Sequence, residues 1–270
     1  MSTLTIGDHD AIRYQYHPPT SPTGRTFVFF NAIAGDLGAW EDQIAPALRE
    51  VGHGTLSWNL RGQADSPASP DIELDTDLIV ADTGRLLEAV QPPRPVLVGL
   101  SIGGLYATRY WLQSGGAEGL VLINMLRRPG ARIAWLNEAV VRALQVGGVQ
   151  LLKDLYGFGL FNEAFLAEQR GNFFPDTPYQ PMPRDHGIYR LLSAARGASW
   201  DLPYEDLDLR VLVVTGLEDR LFLDLDDVDR LYRRLPRAQR IDLPDAAHMI
   251  PVERPEALTQ HLLQFVQELP

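Results

Sequence analysis

The sequence predicts an α/β protein built on a mainly parallel central sheet, covered by helices on both faces and interrupted by an inserted helical cap. Three observations lead there. Short β-branched and aromatic runs alternate with longer helical patterns along the chain, as successive βα units do. Most of those runs are continuously apolar, the mark of strands covered on both faces. One long stretch, 126–199, holds helical patterns and no convincing strand.

In chain order, Leu4–Ile6 and Ala11–His17 alternate apolar and polar residues and read as an antiparallel hairpin at a sheet edge. Thr26–Phe30, Thr55–Trp58, Val96–Leu100, Leu120–Ile123 and Val211–Val214 lack that alternation and read as interior strands, with a last strand at Arg240–Leu243. Between them Ala39–Val51, Asp77–Val90 and Ile102–Leu112 read as helices. The final helix has Pro255 in its first turn, and Leu258, Leu262, Phe265, Val266 and Leu269 recur at helical spacing on one face. The chain thus divides into a first core part at 1–125, a cap at 126–199 and a second core part at 200–270. Within the cap, Leu136–Val146 and Glu163–Arg170 read as helices. The cap aromatics, Trp135, Tyr156, Phe158, Phe161, Phe165, Phe173, Phe174, Tyr179 and Tyr189, are expected mostly to pack the insertion's own small core and otherwise to roof a pocket.

Composition narrows the function. With 45% hydrophobic and 22% charged residues, the chain of 270 is neither disordered nor fibrous. Its net charge of −11 repels phosphate backbones and anionic lipid surfaces, so a small-molecule substrate is expected rather than nucleic acid or membrane. Zero cysteines exclude disulfides, thiolate metal sites and a cysteine nucleophile. Lys153 is the sole lysine, which leaves Schiff-base chemistry one position. Met1–Asp10 shows no secretory signal pattern and no apolar stretch reaches membrane-spanning length, so a cytoplasmic location is expected.

The strand Val96–Leu100 runs into Gly99-Leu100-Ser101-Ile102-Gly103-Gly104 and then into a helix, the strand–turn–helix context of a nucleophile elbow. Such a turn holds the serine backbone under strain and leaves no room for side chains at Gly99 and Gly103. A serine hydroxyl needs a histidine base, and that base needs an acid to hold its tautomer. Of six histidines, only His248 lies in a loop between the last strand and the last helix, at the carboxyl edge of the sheet where open α/β folds bind ligands. Thr215-Gly216-Leu217-Glu218-Asp219-Arg220 ends another strand at the same edge. Asp219 is the expected acid, with its neighbour Glu218 as the substitute, since adjacent residues of an extended turn point apart.

These segments resemble the α/β-hydrolase superfamily, in which the order nucleophile, acid, histidine matches Ser101, Asp219 and His248. Arg61-Gly62 with Ser66, and His248 followed by Pro251, Glu253 and Pro255, resemble its small capped members, among them carboxylesterases, enol-lactonases and carbon–carbon bond hydrolases. The resemblance implies an oxyanion hole from the backbone N–H groups of Ile102 and Ile33, with neither cofactor nor metal. Two positions depart from the superfamily pattern: Asn31-Ala32 stands where many relatives carry His-Gly, and Ala64 where they carry a second Gly. Asn31 is expected to make a structural hydrogen bond.

A serine nucleophile argues against the epoxide-hydrolase and dehalogenase chemistries of the superfamily, which need a carboxylate there. The expectation is a serine esterase or lactonase working through an acyl-enzyme, with Trp40 and Trp111 at the substrate pocket. Carbon–carbon hydrolysis and acyl transfer stay open because the same triad serves both, as does a non-catalytic binding protein of this fold. Arg127 and Arg128, at the start of the cap, either bind a substrate carboxylate in a fork or lie exposed on the loop.

Overall fold

The computed structural model describes residues 1–270 and contains one eight-stranded sheet. Its strands are β1 (Ser2–Gly7), β2 (Asp10–His17), β3 (Thr26–Phe30), β4 (Gly54–Trp58), β5 (Pro95–Leu100), β6 (Gly119–Ile123), β7 (Arg210–Gly216) and β8 (Ala238–Leu243). They lie in the order β1-β2-β4-β3-β5-β6-β7-β8. The hairpin β1–β2 is antiparallel and joins β4 antiparallel; every later pairing is parallel.

Strand periodicity explains why the interior runs are apolar throughout. Successive side chains of β3 point to opposite faces, so Phe27 and Phe29 enter one core layer while Val28 and Phe30 enter the other. On the first face α2 (Ile44–Glu50) packs against α10 (Pro255–Gln267), with α1 (Gly38–Glu41) beside α2. There Phe29 stacks on Trp40 with ring centroids 4.7 Å apart. Truncating either fully buried ring to alanine would cost about 3–5 kcal/mol. The second face is covered by α3 (Thr76–Val90) and α4 (Ile102–Ser114), which pack side by side. Asp75 starts α3 by accepting from Leu78 N–H at 2.8 Å.

Between β6 and β7 lies the helical insertion: α5 (Ala131–Leu160), α6 (Glu163–Phe173) and α7 (Gly187–Ala195). Two short helices complete the fold, α8 (Leu225–Tyr232) after β7 and α9 (Ile250–Glu253) before α10.

The structure corrects three sequence readings. The single helix expected at Ala39–Val51 is broken into α1 and α2, with Gln43 at φ −140°. Pro46 has no N–H to give the carbonyl of Asp42, so a continuous helix loses a rung there. The helix expected at Leu136–Val146 extends over the whole of α5 and is interrupted at Gly148, whose φ of 62° and ψ of −157° are non-helical. The Pro-rich segment before α7 packs against the break: Met182 N–H donates to the Leu144 carbonyl at 2.9 Å, and a Cβ at Gly148 would lie 2.4 Å from the Gln180 carbonyl oxygen. The expectation that most cap aromatics pack a core of their own fails for Trp135, 81% exposed, and for Phe158, Phe174 and Tyr179, also exposed. Only Phe161, Phe165 and Phe173 form a mutual cluster, with centroids 4.8–6.2 Å apart.

Candidate active site

Ser101 sits between the end of β5 and the first residue of α4, with φ 56° and ψ −122°. That backbone conformation costs a non-glycine residue about 1–3 kcal/mol and turns its hydroxyl out above the sheet edge. The neighbouring glycines make it feasible. A Cβ at Gly99 would lie 2.4 Å from Gly104 Cα, and one at Gly103 would lie 2.3 Å from the Phe30 carbonyl oxygen.

Asp219 and His248 meet at the carboxyl edge of the sheet. His248 Nδ1 donates to Asp219 Oδ2 at 2.6 Å, since an ionised carboxylate only accepts, and this leaves Nε2 free as a base. The other oxygen, Oδ1, accepts from the backbone N–H groups of Leu221 and Phe222 at 3.0 and 2.9 Å. Burial alone would raise the Asp219 carboxyl, but the facing imidazole, the Phe222 N–H and the charge of Arg127 hold it below its ordinary value. Glu218 points away and pairs at 3.9 Å with Arg220.

The loop bearing His248 is clamped from three sides. Glu253, buried at the end of α9, accepts from the N–H groups of Ala247, Met249 and Asn162 at 3.0, 2.8 and 2.8 Å. Burial nevertheless pushes its carboxyl above its ordinary value. Asn124, beyond β6, donates to the carbonyls of Ala247 and His248 and accepts from Gly216 N–H. From the insertion, the Leu160 carbonyl accepts from His248 N–H at 3.0 Å and Asn162 Nδ2 donates to the Asp245 carbonyl at 2.9 Å.

The N–H groups of Ile33 and Ile102 donate to no acceptor in the protein and flank the same cavity as Ser101. Gln63, fully buried, holds the Ile33 loop. Its Nε2 donates to the carbonyls of Ala32 and Ile33 at 2.8 and 2.9 Å, and its Oε1 accepts from Leu60 N–H at 2.9 Å and Asn31 Nδ2 at 3.2 Å. Sequence reasoning missed Gln63, although it lies inside the Arg61–Ser66 loop. Asn31 is structural as expected, donating to the Trp58 carbonyl at 2.8 Å. The neighbouring Ala64 takes φ 42°, a left-handed position normally left to glycine.

Above these residues lies a mainly apolar cavity of about 270 Å³, roofed by α5 and lined by Ile33, Ser101, Arg127, Tyr156, Trp200 and His248 among others. Trp40 and Trp111, expected at this pocket, do not line it. The Trp40 indole N–H is drawn beneath the loop to Asn31 Oδ1 at 2.8 Å, in the opposite core layer. Trp111 lies ten residues along α4, about 15 Å from Ser101 at the helical rise, and packs against the core. Arg128 is exposed and lies 3.6 Å from Asp227. Arg127 is buried instead, and its Nη2 donates to Ser101 Oγ at 2.7 Å and to the Asn124 carbonyl at 3.0 Å. No hydrogen bond joins Ser101 to His248, although both face the cavity. No group of three or more His, Asp or Glu is arranged to hold a metal ion, and no helix is long and apolar enough to cross a membrane.

The family model described as alpha/beta hydrolase fold matches residues 25–255. A protein from Variovorax paradoxus named putative carbamate hydrolase RutD is 26% identical over 262 residues, covering 94% of this chain and 96% of that protein. Among solved structures, an esterase from Exiguobacterium antarcticum superposes with a TM-score of 0.80 at 17% identity, covering 99% of both chains. The enol-lactonase from Burkholderia xenovorans LB400 superposes with a TM-score of 0.78 at 21% identity, covering 96% of this chain and 97% of that one.

Proposed function

Because the chain belongs to the alpha/beta hydrolase family, we propose that it is a serine hydrolase cleaving a small carboxylic ester or lactone through an acyl-enzyme. One observation carries the reading: a buried His248–Asp219 pair, joined at 2.6 Å, opens into the same apolar cavity as a serine held at φ 56°. Binding alone would require neither the pair nor the strained turn.

In this reading His248 Nε2 removes the Ser101 proton while Oγ attacks the carbonyl carbon. The hydrogen bond from Arg127 occupies a lone pair of Oγ and leaves the hydroxyl proton available for that transfer. Ile33 and Ile102 N–H donate to the oxyanion, and Asp219 stabilises the imidazolium. The C–O bond to the leaving alkoxide breaks as His248 returns the proton to it. Water then attacks the acyl-enzyme with His248 as base, releasing the acid and restoring Ser101. The esterase and enol-lactonase neighbours are consistent with that substrate class.

The test is intact mass after incubation with a fluorophosphonate, which labels only a serine with a working base and oxyanion hole. One adduct on the wild type, absent from Ser101→Ala and His248→Ala, is the expected result. Absence of any adduct on folded wild type that a small ester analogue can enter would overturn the reading in favour of a binding protein.

A further inference from the structure

Arg127 is 6% exposed and lines the cavity, yet no acidic side chain lies within ion-pair distance of it. The other two buried arginines are paired: Arg25 meets Glu118 at 2.6 Å, and Arg61 is held between Asp82 and Asp10 at 2.5 and 3.1 Å. The Arg127 guanidinium uses only Nη2 in hydrogen bonds; Nε is buried without a partner, and Nη1 has none in the protein. A buried charge left in this state is costly unless something completes it. The rings of Trp200 and Phe222, each 4.5 Å from Arg127 Cζ, supply part of the compensation and fix the plane of the fork. Burial pushes its pKa down to about 10 against the opposing, more distant charge of Asp219, so it stays cationic at neutral pH.

The rest of the cavity wall points the same way. Lys153 also lines it, and no Asp or Glu does, in a chain whose net charge is −11. A wall of this sign favours an anion entering an otherwise apolar space.

We infer that Arg127 is a specificity-determining residue that binds a carboxylate on the substrate, which is therefore a small anionic ester or lactone with the acid a short carbon spacer from the scissile carbonyl. The spacer is short because Nη2 already lies 2.7 Å from the Ser101 oxygen that attacks. This rests on the proposed hydrolase reading for the identity of the bond cleaved, while the carboxylate site itself does not.

Monomethyl succinate and its neutral amide counterpart, methyl succinamate, separate the two claims. Calorimetric titration of Ser101→Ala, which cannot form an acyl-enzyme, is expected to show the acid binding at least tenfold tighter than the amide. Ser101→Ala/Arg127→Met should bring the two within threefold, with methionine filling the space between the rings. In turnover, Arg127→Met should lower the acid-to-amide ratio of kcat/KM by at least tenfold, whereas Arg127→Lys, which keeps the charge but not the fork, should retain part of it. Acid and amide bound within threefold by Ser101→Ala would overturn the inference without any Arg127 variant having to fold. So would an equal fall in kcat/KM for both substrates in Arg127→Met, since Arg127 would then act only through Ser101. Preferential acid binding with no fluorophosphonate adduct would leave the carboxylate site standing and remove the hydrolase.

Discussion

Replacing Gln63 by alanine should damage the proposed oxyanion hole from the back. The side chain makes four hydrogen bonds, but their loss is unequal. Asn31 Nδ2 keeps the Trp58 carbonyl, and the Ala32 carbonyl keeps Gly35 N–H at 3.1 Å. That leaves the Leu60 N–H and the Ile33 carbonyl as the groups truly orphaned. At about 1–3 kcal/mol for each buried unsatisfied group, Gln63→Ala should lose about 2–6 kcal/mol of stability, towards the lower end if water enters the vacated space. The functional loss is separate. Without Nε2, the peptide carrying the Ile33 N–H is held only by Gly35 N–H at its Ala32 carbonyl and gains freedom to tilt, and one misplaced oxyanion donor costs about 10²–10³-fold in kcat. Denaturant unfolding gives the first quantity, and fluorophosphonate labelling kinetics with kcat/KM on a simple ester gives the second. A folded Gln63→Ala protein that loses stability but labels within threefold of wild type would refute the argument that Gln63 positions Ile33.

Asp219→Asn should lower kcat by about 10⁴-fold, because an amide no longer forces the proton onto Nδ1. Since the Asp219 carboxyl is held below its ordinary value, its stabilising contribution is present above the ordinary aspartate pKa of about 4 and is lost as pH falls through the folded value. The gap in melting temperature between wild type and Asp219→Asn should therefore hold from pH 7 to pH 5 and narrow only in more acidic solution; narrowing between pH 6 and 5 would contradict a depressed carboxyl. Ala64→Gly should raise stability by up to about 1 kcal/mol, or about 2–4 °C, because relief at φ 42° exceeds the added freedom of the unfolded chain. A lower melting temperature for that variant would refute it.

The interior strands were legible because both faces of each are buried: Val96, Leu97 and Val98 enter alternating core layers and are all apolar. The paired Asp219 and His248 were legible because each follows a strand at the carboxyl edge of one sheet, so topology alone brings them together. What escaped depended on distant partners. Gln63 acts on carbonyls some thirty residues away, and nothing local distinguishes it from any loop glutamine. Trp40 looked like a pocket residue because a large aromatic near the Ile33 loop has two places to go, and only the Asn31 acceptor beneath the loop decides between them. Arg127 and Arg128 are adjacent and identical in type, yet one is buried beside Ser101 and the other exposed, a choice made by the rings of Trp200 and Phe222 from later in the chain.

The way the insertion is fastened has a consequence for how such a protein can diverge. Its anchors to the histidine loop, the Leu160 carbonyl and Asn162, cluster at the junction of α5 and α6, while the residues that shape the roof extend back along α5 to Ile133 and across the break at Gly148. Side chains along the roof can be exchanged, altering which molecules fit, while the peptide bonds that seat His248 stay in place. Selection can thus explore new substrates in one stretch of chain without first having to rebuild the base in another.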